Sequence, residues 1–447
     1  MSALHRRAPW LTGGLLCALA ALCFGCGGYA SSTASARRAL LKGDAQTSLS
    51  ELEQALEQAP ESHLPLLHLE RAISRHQSGD LEGASRDYQR GDEALELLDY
   101  TSATAQEVAA YLYSDDSAPY RPAPYEKALI NLLNLMSYLE RGDAAGARVE
   151  ARRFAVYRDY FEAQVSAGEE RAAAIESLMT LGAALGAYAH LSVGDSQGAT
   201  RWAASAPVVE ERVSALLTAR LTGERSSQRA QLLVLSMRGL IAYKSPVRLG
   251  LGRAMIYLSA HPGHGLSASE HRALQRSAAS AAVKWLNFVE LVQPQLRSAQ
   301  RGSLLGLPSS AQPLHSVNLS ALAREAFELA QPKMLAASLT RLLSRALIGE
   351  GSQRLARRQL GPLGGLLVGL AVEGGMSAAD TPDTRSWSSL PEQLELYWLS
   401  LPPGRYKLMS GAPHSQAVSL ELKAGELHAL TLPRWVQPTT PSQESTP

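Results

Sequence analysis

One short pattern, Gly-Asp-x-x-Gly-Ala, constrains this chain more than any other feature in it. It occurs as Gly79-Asp80-Leu81-Glu82-Gly83-Ala84, Gly142-Asp143-Ala144-Ala145-Gly146-Ala147 and Gly194-Asp195-Ser196-Gln197-Gly198-Ala199, and a degenerate copy begins at Gly43-Asp44. Each copy lies between stretches whose apolar residues recur at helical spacing. Glycine can end one helix in the left-handed conformation, aspartate caps the next, and the small alanine lets the two helices approach. The pattern therefore predicts helix hairpins. From Arg37 onward Ala, Leu, Glu and Arg dominate and no strand pattern intervenes, so a helical domain is expected over 37–222.

Around these motifs, Tyr88 and Gly91 follow Ala84, Tyr138 precedes Gly142, and Pro60 closes the first hairpin. The arrangement resembles tetratricopeptide repeats. The motif glycines fall 36, 63 and 52 residues apart instead of at a regular interval of about 34, so extra helices or long loops must intervene. The Pro-, Ser- and Asp-rich stretch Tyr113 to Pro124 is expected to be one such loop. Stacked hairpins of this kind offer a surface for extended segments of partner proteins, with a plain helical support as the alternative.

The N-terminus has a different design. His5, Arg6 and Arg7 precede an apolar run from Trp10 to Phe24, and all three cysteines, Cys17, Cys23 and Cys26, lie in this region. A basic start and an apolar run too short to span a bilayer predict a secretory signal over 1–25. Leu22-Cys23-Phe24-Gly25-Cys26 resembles a lipobox, with Cys23 where leucine is usual. That resemblance implies cleavage before Cys26, lipidation of its sulfur, and anchoring on the periplasmic face of the outer membrane, since Gly27 rather than aspartate follows. Cys26 as an unmodified residue is the alternative. Residues 26–36, small and polar after Cys26, are expected to form a flexible tether. Without residues 1–25 the chain carries 41 basic and 42 acidic side chains, a balance that argues against general nucleic-acid binding.

Near Gln231 the pattern changes. Gln231 to Leu235 is apolar on both faces, and Val247, Leu249 and Leu251 alternate with other residues. Toward the end, Leu394 to Leu401, a Pro402-Pro403-Gly404 turn and Arg405 to Met409 read as one antiparallel hairpin; Val418 to Leu422 and Glu426 to Leu432 read as another. Between the early strands and these hairpins, Leu319 to Ala330 forms a helical face that Pro332 is expected to break, with Leu335 to Leu347 continuing it. The expected fold class is multidomain α+β. A small antiparallel β-sandwich with inserted helices spans 223–434, and a disordered tail spans 435–447.

Four stretches together resemble a largely uncharacterised family of bacterial lipoproteins with tetratricopeptide-like repeats. They are Tyr125-Glu126-Lys127-Ala128 with the following Gly142-Asp143 hairpin, Gly239 to Arg248 (GLIAYKSPVR), Leu322 to Phe327 (LAREAF) and Asp383 to Pro391 (DTRSWSSLP). The resemblance implies no enzymatic activity and a place beside cell-wall or outer-membrane assembly.

Candidate chemistry is sparse. No phosphate-binding Gly-x4-Gly-Lys-Ser/Thr loop occurs. His261, His264, Glu270 and His271 could ligate zinc or be loop residues; no metal and no cofactor is expected. Arg341, Arg345, Arg354, Arg357 and Arg358 form a basic region that either meets anionic lipid headgroups or cell-wall polymers, or is simply solvated. Arg385 and Trp387 are candidate binding residues, because this pairing is common at interface hot spots. Alternatively, Trp387 plugs the sandwich edge and Arg385 holds the loop through a carboxylate.

The leading expectation is a non-enzymatic, membrane-anchored periplasmic scaffold that binds envelope proteins, cell-wall synthesis machinery among them. One alternative is an envelope enzyme acting on peptidoglycan or glycans through carboxylates such as Glu169 and Glu170, which project about 100° apart on a helix. Another is a lipid- or ligand-carrying module, with Gly361 to Gly375 lining an apolar cleft.

Overall fold

The computed structural model describes residues 28–100, 119–166, 173–206, 215, 228–260, 285–294, 304–308, 311–339, 381–410 and 415–435. The helices are α1 (Tyr29–Ser32), α2 (Ala34–Leu41), α3 (Ala45–Gln58), α4 (Leu64–Ser78) and α5 (Leu81–Tyr100), followed by α6 (Pro124–Glu140), α7 (Ala144–Ser166), α8 (Ala173–Ser192) and α9 (Ser196–Ala204).

The four Gly-Asp pairs join α2 to α3, α4 to α5, α6 to α7 and α8 to α9. Gly43, Gly79, Gly142 and Gly194 have φ of 75°, 89°, 73° and 78°, the left-handed region in which glycine carries no steric penalty. The following aspartates accept the backbone N–H three residues on, at 2.9 Å from Thr47, Gly83 and Gly146 and 2.8 Å from Gly198. Each such cap is worth about 1 kcal/mol. Ala84, Ala147 and Ala199 are buried between the paired helices. A Cβ at Gly146 would run into the Tyr138 ring of the preceding helix, so the second motif glycine is also a packing residue.

The expected tether is corrected by the structure. Residues 28–36 are not a loose linker: α1 and α2 cover most of them, and Tyr29 is only 1% exposed. The Tyr29 hydroxyl donates to Glu70 at 3.2 Å, and the Ala30 N–H donates to Thr384 Oγ1 at 3.0 Å. Small residues suit a flexible linker, but they equally permit a helix to lie close against its neighbours, and the Tyr29 ring supplies the apolar area that decides between the two.

The second half contains β1 (Ala230–Arg238), β2 (Tyr243–Gly250), α10 (Leu251–Ala260), β3 (Trp285–Val292), β4 (Leu304–Leu305), β5 (His315–Asn318) and α11 over 319–339. It ends with β6 (Gln393–Leu401), β7 (Gly404–Ser410), β8 (Ser415–Gln416), β9 (Val418–Leu422), β10 (Leu427–Leu432) and β11 (Arg434–Trp435). A four-stranded sheet has the order β10-β1-β6-β5, with β10 parallel to β1 and the other pairs antiparallel. β7 pairs with β9 and β4, β2 with β3, and β8 with β11.

The α+β class is therefore present, with three corrections to its details. Neither expected C-terminal hairpin pairs with itself. The turns after β6 and β9 instead carry the chain between two sheets, because both faces of β1 and β6 are apolar and need covering. Leu233, Leu235, Leu394 and Leu396 face the helices, whereas Leu232, Val234, Tyr397 and Leu399 pack with Leu408, Leu420 and Leu422 of β7 and β9. The division at 222/223 is not a break between cores either: a single apolar cluster runs from Tyr29 and Leu67 through Tyr188 to Trp398 and Ala429. Lastly, α11 continues through Pro332. Its two ends are buried in separate clusters, Leu319 and Leu322 in one and Leu335 and Leu339 in another, which outweighs the roughly 3 kcal/mol that an interior proline costs.

Among the described residues, no helix is long and apolar enough to cross a membrane. The signal segment, Cys26, the histidine cluster near His261, Glu169 and Glu170, the basic region from Arg341, Gly361 to Gly375 and the tail after Trp435 lie outside the described residues.

Candidate functional site

Residues 383–391 run through the interior without joining any sheet, so their backbone donors need other partners. Two carboxylates from different helices supply them. Glu70, on α4, accepts the N–H groups of Ser388 and Ser389 and the Ser388 hydroxyl, each at 2.8 Å. Glu126, in the first turn of α6, accepts the Trp387 N–H at 2.9 Å and the Ala123 N–H at 2.8 Å, and also the Tyr120 hydroxyl. Arg37 adds its guanidinium to the Ser388 hydroxyl at 3.2 Å and lies 3.9 Å above the Tyr243 ring. Burial pushes the Glu70 carboxyl above the usual range, and the Ser389 and Ser388 donors pull it back.

Arg385 and Trp387, the candidate binding residues, are both only 1% exposed, so neither offers a surface contact. The Trp387 ring packs edge-on to Tyr88 at 6.2 Å, within the helical layer rather than at a sheet edge. Arg385 holds Asp383 through Nε at 2.8 Å and Nη2 at 3.1 Å. Burial alone would raise Asp383; Lys244 and Arg385 outweigh it and hold the carboxyl below its ordinary value. The structural alternative for both residues thus describes the geometry, with the plug moved to the helices.

Beside this segment lies a cavity of about 470 Å³, within the size range of small-molecule sites. One wall is α11, through Leu322, Ala326, Phe327, Ala330 and Met334. The lining also includes Tyr120 and Pro122 from the approach to α6, Tyr125 in its first turn, Ala242 and Leu291. Most of the lining is apolar, but it contains Arg121, Glu126, Lys244, Lys333 and Arg385. Four of these five charged side chains are basic. Glu126 is committed to the buried segment and Arg385 to Asp383. Arg121 and Lys333 are exposed, and Lys244 is half-buried.

Burial raises the Tyr120 and Tyr125 hydroxyls, with the Glu126 charge adding to it, so both stay protonated donors at neutral pH. Among the described residues, no group of three or more His, Cys, Asp or Glu side chains could hold a metal ion. The cavity can accept an apolar body and place its polar end against cations.

Half of its lining residues fall in the stretches quoted above: Tyr125 and Glu126, Ala242 and Lys244, Leu322, Ala323, Ala326 and Phe327, and Arg385 with Ser386. Sequence reasoning singled out Arg385 but not Glu70, Glu126 or Lys244 as site residues. Glu70 carried a readable signal: with Leu66, Ile73 and Gln77 it occupies the buried face of α4, where an acid needs a partner. The chain matches no known family, no curated protein and no solved structure.

Proposed function

We propose that this chain is a non-catalytic binding protein whose cavity beside α11 takes an apolar ligand, and that it works in the cell envelope, anchored through a lipidated Cys26. The observation that carries the reading is the 470 Å³ cavity, apolar over most of its lining, walled by chain segments more than two hundred residues apart in sequence. Half of the lining residues fall in the stretches that resemble lipoproteins of the envelope, which supports a functional rather than incidental space. In the same reading the helix pairs are tetratricopeptide-like and the facing sheets form a small sandwich. The pairs grip the chain's own segment 383–391 as repeats of that kind grip an extended partner.

Titration of a fluorescent fatty acid into purified protein tests the cavity. Ala326→Trp, which fills it from the α11 wall, should abolish the fluorescence change while leaving the melting temperature near that of wild type. Equal binding by a stable Ala326→Trp protein would refute the site.

One observation favours a scaffold role as a second reading. Val149 and Val156, seven residues apart and so on one face of α7, are 45% and 72% exposed. An envelope protein, such as a component of the cell-wall synthesis machinery, would dock there. Replacing both with Ser should lower its capture by in-cell crosslinking while leaving fatty-acid binding unchanged.

A further inference from the structure

We infer that the ligand of this cavity is an anionic amphiphile, a single apolar chain ending in a carboxylate or phosphate, with Lys244 and Lys333 holding its head. The inference rests on the cavity being the binding site and adds the chemical class of what enters it. A purely apolar ligand would need none of the basic side chains that line the space. Four bases against one acid leave the lining with a formal excess of positive charge, and the acid, Glu126, already accepts from Trp387, Ala123 and Tyr120.

The bases are also graded. Arg385 is buried and spent on Asp383. Lys244 is half-buried and shares the field of Asp383, and its N–H donates to Ser386 Oγ at 3.3 Å, which fixes its backbone against the buried segment. Lys333 and Arg121 reach solvent. Basic groups of the cavity therefore meet solvent, and Ala326, Phe327, Ala330 and Met334 of α11 supply apolar surface in the same lining. An acyl chain against α11 and an anionic head at the lysines satisfy both parts. A cationic head would meet like charge. A neutral alcohol would bring no charge to Lys244 or Lys333.

Calorimetric titration of the full chain with dodecanoate, dodecyl phosphate, dodecanol, dodecyltrimethylammonium and inorganic phosphate separates the contributions. Dodecanoate and dodecyl phosphate should bind about tenfold or more tighter than dodecanol, the scale of one charge-assisted contact. The cationic amphiphile should bind more weakly still, and phosphate alone should give no saturable heat. Lys244→Gln combined with Lys333→Gln should bring dodecanoate and dodecanol to within about twofold of each other. Equal binding of dodecanol and dodecanoate by wild type would overturn the anionic head and leave the cavity assignment standing. Phosphate binding as tight as that of dodecyl phosphate would overturn the acyl chain. If none of the amphiphiles bound, the cavity assignment itself would fall.

Discussion

Replacing Glu70 with Ala removes the acceptor on which the buried segment depends. Its Oε1 takes the Ser388 N–H and hydroxyl at 2.8 Å and the Tyr29 hydroxyl at 3.2 Å, and its Oε2 takes the Ser389 N–H at 2.8 Å. Alanine leaves two buried backbone donors unpaired, at about 1–3 kcal/mol each. Relief of the buried charge offsets part of that, so a net loss of about 3 kcal/mol is expected. Glu70→Gln should lie between, because one amide oxygen can still serve the Oε1 partners while the amide NH2 faces the Ser389 N–H. The cost is local, so hydrogen exchange followed by mass spectrometry is the suitable assay. Where opening of this segment governs exchange, a loss of about 3 kcal/mol corresponds to roughly a hundredfold faster exchange at residues 387–389 in the alanine variant. Unchanged exchange there, with the remainder of α4 equally unchanged, would show that the carboxylate does not hold the segment.

Trp387→Ala should cost about 3–5 kcal/mol, as large-to-small changes in a core do, and Arg385→Gln about 2 kcal/mol by loosening the Asp383 pair. Thermal and urea unfolding check both, and stability within about 0.5 kcal/mol of wild type would refute the structural assignment. Asp87 tests the acid limb: burial raises its carboxyl, but His68, Arg71 and Arg75 outweigh this and hold it below the ordinary value. Its contribution is therefore complete above the unfolded pKa of about 3.9 and is lost as pH falls through the folded value, so Asp87→Asn should flatten the stability profile below about pH 4. An equally steep acid limb in the variant would contradict that. Cys26→Ser should move the protein from the membrane to the soluble fraction, and continued firm membrane association would overturn the anchor.

What was legible in the sequence was local. The Gly-Asp pairs could be read because a left-handed glycine and a capping aspartate complete their function within four residues. The turn at Pro402-Pro403-Gly404 was readable as a turn, but pairing is a choice among distant strands: β6 took β1 and β5, and β7 took β9 and β4. A better guide was the absence of alternation in β1, since a strand apolar on both faces must lie between two layers. The site was legible only in fragments. Arg385 announced itself beside an aspartate and a tryptophan, whereas Lys244 was one lysine in a strand until folding brought it to α11 and the approach to α6. Ala30 and Ala36 misled because small residues signal flexibility in composition and close packing in structure.

The corrected N-terminus also changes what an anchor at Cys26 would do. Ala30 is hydrogen-bonded to Thr384, and the next two residues of that segment, Arg385 and Ser386, line the cavity. Cys26 precedes Ala30 by four residues, which fully extended reach at most about 14 Å. A lipid on Cys26 would therefore hold the cavity wall close to the bilayer surface instead of letting the body wander on a longer linker. The body is nearly neutral, with 41 basic and 42 acidic side chains after residue 25, so it has no general attraction to anionic lipid. Orientation at the membrane would then fall to the anchor and to the local basic group of Arg121, Lys244 and Lys333. An anionic amphiphile leaving the bilayer would have its head drawn to that group, with the α11 wall available to replace the apolar surroundings its chain gives up.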